Sequence, residues 1–173
     1  IYRKLSETHP DAYMPNVATT LNNMGNLLDD MGHPDDSLVH YEEALRIYRK
    51  LSETHPDAYM PDVAMTLNNM GVLLKEMGHP DEALAHYKEA LEIRRKLSEA
   101  HPDAYLPVLA TTLNNMGVLL DDMGHPDEAL AHYKEALEIY RKLSEAHPDA
   151  YMPYVAGTLN NMGILLRNMG HPD

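Results

Sequence analysis

The chain has 173 residues, no Cys, Trp or Phe, and a net charge of −13. The acidic balance excludes a nucleic-acid phosphate backbone or an anionic membrane surface as partner, because both need clustered Lys and Arg. The missing cysteines exclude disulfides, thiolate zinc sites and a Cys nucleophile, and fit a reducing, cytoplasmic compartment; no apolar run approaches the ~18 residues of a membrane span.

One unit recurs along the chain. Ile1, Ile47, Ile93 and Ile139 stand 46 residues apart, and each opens nearly the same text. A fixed period of this size marks a stack of units, each burying its apolar face against its neighbours. The units are 1–46, 47–92, 93–138 and a partial 139–173, in a single array spanning 1–173.

A short helix is predicted from Ile1 to about Thr8. The next helix, the first of a pair, is predicted over 15–31. Its apolar residues Val17, Leu21, Met24, Leu28 and Met31 share one face. Pro15 suits a first turn and Gly32 a left-handed stop. The second helix of the pair is predicted over 34–54, with Pro34 in its first turn and Asp35 and Asp36 beside the positive end of its dipole. Its apolar stripe is Leu38, Tyr41, Ala44, Leu45, Tyr48 and Leu51. Glu42, Glu43, Arg46, Arg49, Lys50 and Glu53 form a solvated face with ion pairs at i,i+4. The same pair recurs over 61–77 and 80–100, then 107–123 and 126–146, and 153–169 repeats the first helix. Short Gly-His-Pro-Asp turns make successive helices antiparallel neighbours. Gly25, Gly71, Gly117 and Gly163 lie inside the first helices, where Gly costs about 1 kcal/mol relative to Ala. Close approach of the second helix at Ala44, Ala90 and Ala136 is the expected compensation.

These residues resemble the tetratricopeptide repeat, W-x₂-L-G-x₂-Y, then A-x₃-F, then a later Pro. Leu21, Met24, Gly25 and Leu28 stand in the first block. Ala83 with Tyr87 and Ala129 with Tyr133 stand in the second, where the first unit has Ser37 with Tyr41. Pro56, Pro102 and Pro148 close the units. The pieces TLNNMG, EALEI and HPD resemble the longer repeat of kinesin light chains, with Ala12-Tyr13-Met14-Pro15 as an added lead-in to the first helix. The resemblance implies an all-α, right-handed superhelical solenoid of antiparallel helix pairs that serves as a protein–protein interaction scaffold.

Catalytic chemistry has no support. His-Pro-Asp occurs eight times, at both helix-joining turns, and turn geometry accounts for it. His40, His86 and His132 recur one unit apart. Adjacent helices lie ~8–10 Å apart, so such a ladder cannot close on a metal, which needs ligand atoms at ~2 Å. No metal site or cofactor is expected, no nucleophile elbow or phosphate loop is present, and the chain does not read as an enzyme.

The units differ from each other on one face of the first helix. These positions are Asn16/Asp62/Val108/Tyr154, Thr19/Met65/Thr111/Gly157, Asn26/Val72/Val118/Ile164, Asp29/Lys75/Asp121/Arg167 and Asp30/Glu76/Asp122/Asn168. They fall in one arc opposite the apolar stripe. In tetratricopeptide folds that face lines a concave groove, as the resemblance implies. The expected peptide-binding set is Thr19, Asn22, Asn26, Met65, Asn68, Val72, Lys75, Thr111, Asn114, Val118, Asn160, Ile164 and Arg167. Asn amides both donate to and accept from a peptide backbone, although one Asn of each pair in Asn22-Asn23 and its equivalents is expected to bridge helices instead. The acidic rim favours a neutral-to-basic extended or helical peptide. Carboxylate-clamp members of the family use Asn together with Lys and Arg. Asn26 and Asn69 match the Asn positions, but Asn22, Thr111 and Asn115 replace the cations, so an acidic tail is not the expected ligand. The alternative is a structural array that stacks end to end. Ile1 matches Ile47 in mid-helix and Asp173 matches Asp35 at a helix start, so the chain reads as a fragment whose uncapped ends would associate head to tail.

Overall fold

The computed structural model describes residues 10–170. Among them are seven α-helices: α1 Pro10–Asp30, α2 Pro34–Ser52, α3 Pro56–Glu76, α4 Pro80–Ala100, α5 Pro102–Asp122, α6 Pro126–Ala146 and α7 Pro148–Asn168. The fold is all-α, and consecutive helices pack as antiparallel pairs. The leading helix expected over Ile1 to Thr8 lies outside the described residues. The chain divides into two compact units, Ile1–Ile93 and Arg94–Asp173, and the division falls within α4.

Two kinds of joint make the pairs. After α1, α3 and α5 the chain turns through Gly32, Gly78 and Gly124, all at φ between 76° and 81°. At the second of these, His79 N–H donates to the Leu74 carbonyl at 2.8 Å and Gly78 N–H to that of Lys75 at 3.1 Å. This double closure ties off two of the last carbonyls of the helix, and only Gly takes the left-handed position without strain. After α4 and α6 the joint is one residue. His101 N–H still bonds the Leu97 carbonyl at 2.9 Å, while its own carbonyl accepts from Ala104 and Tyr105 N–H at 3.2 Å. At φ −138°, ψ 72° it is extended, as the ring of Pro102 requires of the residue before it.

The first helices of the pairs begin five residues before the expected starts at 15, 61, 107 and 153. Pro56, Pro102 and Pro148, each preceded by an extended His, take the first turn instead. Pro61, Pro107 and Pro153 then sit inside the helices. Pro61 removes one bond, to the Asp57 carbonyl, in a turn where residues 56–58 are exposed to water. Ala58-Tyr59-Met60, in the segment expected to be a lead-in, is therefore helical. The second helices keep their expected starts at 34, 80 and 126.

In the first unit α1 packs on α2, α2 on α3, and α1 touches α3. Tyr41, Tyr48, Leu67, Leu73 and Tyr87 are 2% exposed or less, and burying one such side chain stabilises by about 1.5–3 kcal/mol. In the second unit α6 packs between α5 and α7, around Leu113, Leu119, Tyr133, Ala136 and Tyr140. Gly25, Gly71 and Gly117 are required by a Tyr ring, not by the Ala residues expected, whereas Gly163 meets nothing within 4 Å. A Cβ on Gly71 would lie 2.7 Å from Tyr87 Cε1, and one on Gly25 2.6 Å from Tyr41 Cε1.

Candidate peptide-binding site

The first helices bury a wider arc than their apolar stripe. In α3 the arc takes in Ala64, Thr66, Asn68 and Gly71 beside Val63, Leu67 and Met70. This moves two of the expected contact residues inside: Asn22 is 2% exposed and Asn68 is 8% exposed. Thr66, itself fully buried, donates its hydroxyl to Asn22 Oδ1 at 3.2 Å. The equivalent Asn114, half-buried, accepts at Oδ1 from the Thr158 hydroxyl at 3.3 Å and from Asn161 Nδ2 at 3.4 Å. The first Asn of the pair thus bridges successive first helices at Asn22 and Asn114. Asn160, in α7, is exposed.

The second Asn of the pair behaves differently in the first unit. Asn69 is half-buried, and its Nδ2 donates to Asn26 Oδ1 at 3.3 Å, while the Tyr41 hydroxyl donates to the same oxygen at 2.6 Å. Two donors on one oxygen fix the orientation of the Asn26 amide. These residues, with Asp29, Asp30 and Val72, line a cleft of about 190 Å³. Burial, and next the Asp29 carboxylate, push the Tyr41 phenol up to about 12, so it remains a proton donor at neutral pH. Asn26 is the polar member of the series Asn26/Val72/Val118/Ile164. That difference was the signal in the sequence; the part played by Tyr41, on the second helix, had none.

Of the other expected residues, Met65 is 36% exposed, Ile164 is 41% exposed, and Val72, Val118 and Lys75 are half-buried. Arg167 is exposed. Thr19 and Thr111 share hydroxyl hydrogen bonds of 3.0 Å with Tyr48 and Tyr140. The structure brings Asn26 and Val72 into one cleft.

Arg94 was not anticipated. It stands where the neighbouring units have Tyr48 and Tyr140, in the apolar stripe, and is 6% exposed. Its guanidinium donates to the Val108 carbonyl at 2.8 Å and to the Thr112 hydroxyl. Burial pulls it down to about 10. Charged residues of the second helices reach across the repeat: Arg49 holds both oxygens of Glu89 at 2.7–2.8 Å, and Arg95 those of Glu135 at 2.6–2.7 Å. These pairs join equivalent second helices, whereas pairing at i,i+4 was expected. Arg49 also edges a hollow of about 640 Å³ floored by Leu45, Ile47 and Met70. Among the described residues no group of His, Asp or Glu is placed to hold a metal ion, and no helix is long and apolar enough to cross a membrane.

A search of curated proteins returns no match. Among solved structures, BtubC (BKLC) from P. vanneervenii is similar at a TM-score of 0.74 and 25% identity, over 91% of this chain and 58% of that one. The apo form of RapI matches at 0.74 and 19% identity, over 90% of this chain and 50% of that one. The N-terminal domain of stress-induced protein-1 (STI-1) from C. elegans matches at 0.56 and 17% identity, over 76% of this chain and 95% of that one. The chain therefore spans little more than half the length of the first two, and the last two speak to fold alone. Family models described as tetratricopeptide repeat match residues 17–57 and 62–142, and a third, described as tetratrico peptide repeat, matches 113–172. With helices paired at a 46-residue period and a Gly–Tyr contact in each complete pair, the chain belongs to the tetratricopeptide repeat family.

Proposed function

We propose that this array, a member of a family whose domains are generally protein–protein interaction modules, captures an extended peptide along first helices that share a compact unit, with the cleft at Asn26 in the first unit as one anchor. The observation that carries this is the cleft itself: two amides, two carboxylates and one apolar wall in about 190 Å³. That volume suits one side chain. Asp29 and Asp30 at its edge favour a Lys or Arg, and Val72 takes the methylenes below the charge. In the second unit Thr111, Val118 and Ile164 offer apolar and hydroxyl contacts; Arg167 there, and Lys75 in the first unit, relieve the acidic surface locally. The backbone-facing amides are then Asn26 and Asn69, while Asn22 and Asn114 hold successive first helices together.

The test uses a fluorescein-labelled dodecapeptide of alternating Lys and Leu and its Glu counterpart, followed by anisotropy. The Lys peptide should bind, faster at low salt because the array is acidic. The double substitution Asp29→Asn, Asp30→Asn should weaken it about fivefold to tenfold, as expected for about 1–1.4 kcal/mol of charge interaction. Equal binding of both peptides, or no effect of the double substitution, would overturn the anchor.

A further inference from the structure

Two departures of the first repeat from the later ones meet at one place. Asn26 stands where they have Val72, Val118 and Ile164, and Ser37 stands where they have Ala83 and Ala129. Ser37, fully buried, donates its hydroxyl to the Gly25 carbonyl at 2.9 Å. This bond ties α2 to α1 at the residue before Asn26. One turn on, the Tyr41 ring lies against Gly25, where a Cβ would be 2.6 Å from its Cε1 and 2.7 Å from its Cδ1. The ring is held there, and its hydroxyl reaches Asn26 Oδ1 at 2.6 Å. That length suits O–H···O and is short for N–H···O, so the oxygen of the amide is the atom turned toward α2. Asn69 Nδ2 donates to the same oxygen at 3.3 Å. An amide oxygen has two lone pairs, and both are taken. The nitrogen, Asn26 Nδ2, makes no hydrogen bond among the described residues. The cleft it belongs to is formed by α1, α2 and α3 alone, all inside the first compact unit.

We infer that Tyr41 is a positioning residue for this subsite: by holding the Asn26 oxygen inward it presents Nδ2 to the ligand, so the cleft selects a main-chain carbonyl oxygen and rejects a main-chain N–H. The inference rests on the peptide-capture reading and gives it a polarity. Asp29 and Asp30, also in the cleft, only accept when ionised, so the Asn26 nitrogen supplies a donor that a peptide carbonyl needs. Without the Tyr41 hydroxyl the Asn26 amide turns over, and its oxygen then meets the carbonyl and repels it. Asn69 does not prevent this, because its own amide can turn at the same time and still bond its neighbour. In the next two repeats Val72 and Val118 leave Tyr87 and Tyr133 no amide to orient.

The probe is the fluorescein-labelled Lys–Leu dodecapeptide, followed by anisotropy against the 173-residue chain and its variants. Asn26→Asp keeps an oxygen for Tyr41 and Asn69 but offers the ligand no N–H. It also adds a negative charge, so attraction of the Lys side chains by itself would tighten binding; the expected result is binding weakened about fivefold or more. Tyr41→Phe keeps the ring over Gly25 and should weaken binding about threefold to tenfold. In an Asn26→Val background the same change should have no effect, because no amide is left to orient. A Tyr41 that only supported the fold would weaken binding equally in both backgrounds. Melting curves check that each variant folds; Val is the residue the array carries at 72 and 118. Undiminished binding by Asn26→Asp, or a Tyr41→Phe effect that is absent or equal in both backgrounds, would overturn this inference and leave peptide capture standing. Failure of the Lys peptide to bind the unaltered chain would overturn peptide capture and this inference with it.

Discussion

Single residues in this chain are best judged against their equivalents one unit away. Gly71 and Gly163 occupy the same place in their helices, yet one faces a buried ring and the other open space. Replacement by Ala gains up to about 1 kcal/mol of helix propensity at either. At Gly71 the new methyl must displace Tyr87, which is 1% exposed and has nowhere to go, and overpacking of this kind costs about 1–3 kcal/mol. Urea titrations should thus show Gly71→Ala destabilised and Gly163→Ala slightly stabilised. The tyrosines give a second test. Burial holds the phenols of Tyr41 and Tyr133 up to about 12, and raises Tyr87 as well. A pKa raised in the folded state means that the folded form keeps its proton while the unfolded form loses it. These residues contribute stability below about pH 10 that is lost as pH rises toward 12. In an absorbance titration at 295 nm these three should ionise together with the unfolding transition.

At the scale of the helix, side-chain bonds tie equivalent helices of successive repeats together within each compact unit. Asn114→Ala removes the acceptor shared by Thr158 and Asn161. It should cost about 1–3 kcal/mol, because Thr158 is buried and its donor would lose a partner. Arg49→Ala removes a bidentate pair with Glu89, but both side chains are about half exposed, so the loss should stay within about 1 kcal/mol and shrink in high salt. The sequence revealed helix number and pairing, because 46-residue self-similarity and Pro-Asp after His repeat without error. The second-helix starts at Pro34, Pro80 and Pro126 were legible for the same reason. The first-helix starts were not: two prolines five apart, such as Pro56 and Pro61, both suit a first turn, and only the extended His55 decides between them. The candidate cleft was legible at Asn26 and Val72, which differ between units. Asn22 and Asn68 were misplaced on the surface because apolar periodicity cannot see polar burial, such as that of Asn22 against Thr66 of the next repeat. Arg94 was legible in principle, as a charge in the series Tyr48, Arg94, Tyr140.

Across the whole chain, stability in a repeat array is a sum of unit terms and interfaces between neighbours. Hydrogen exchange should follow that sum within each unit. Helix α7 buries Val155, Thr158 and Leu165, where α5 buries eight residues including Leu113, Met116 and Leu120. Its amides should exchange first in the second unit, and exchange in α7 that is slower than in α5 would contradict the packing described.

The joints at His101 and His147 carry a consequence for how such a chain changes length. Each is a single residue, with a helix ending immediately before it and another starting immediately after. A residue added there has no loop to absorb it. It extends one helix and turns everything beyond by about 100°, carrying Leu109 and Leu113, or Val155 and Leu165, off the faces they bury. The three-residue turns after α3 and α5 are pinned by Gly78 and Gly124 in the same way. An insertion of a few residues would therefore disrupt the packing, while duplication of a complete 46-residue segment would leave every joint intact. Growth by whole copies accords with units that are nearly identical in text and differ at positions such as Asn26, Val72, Val118 and Ile164.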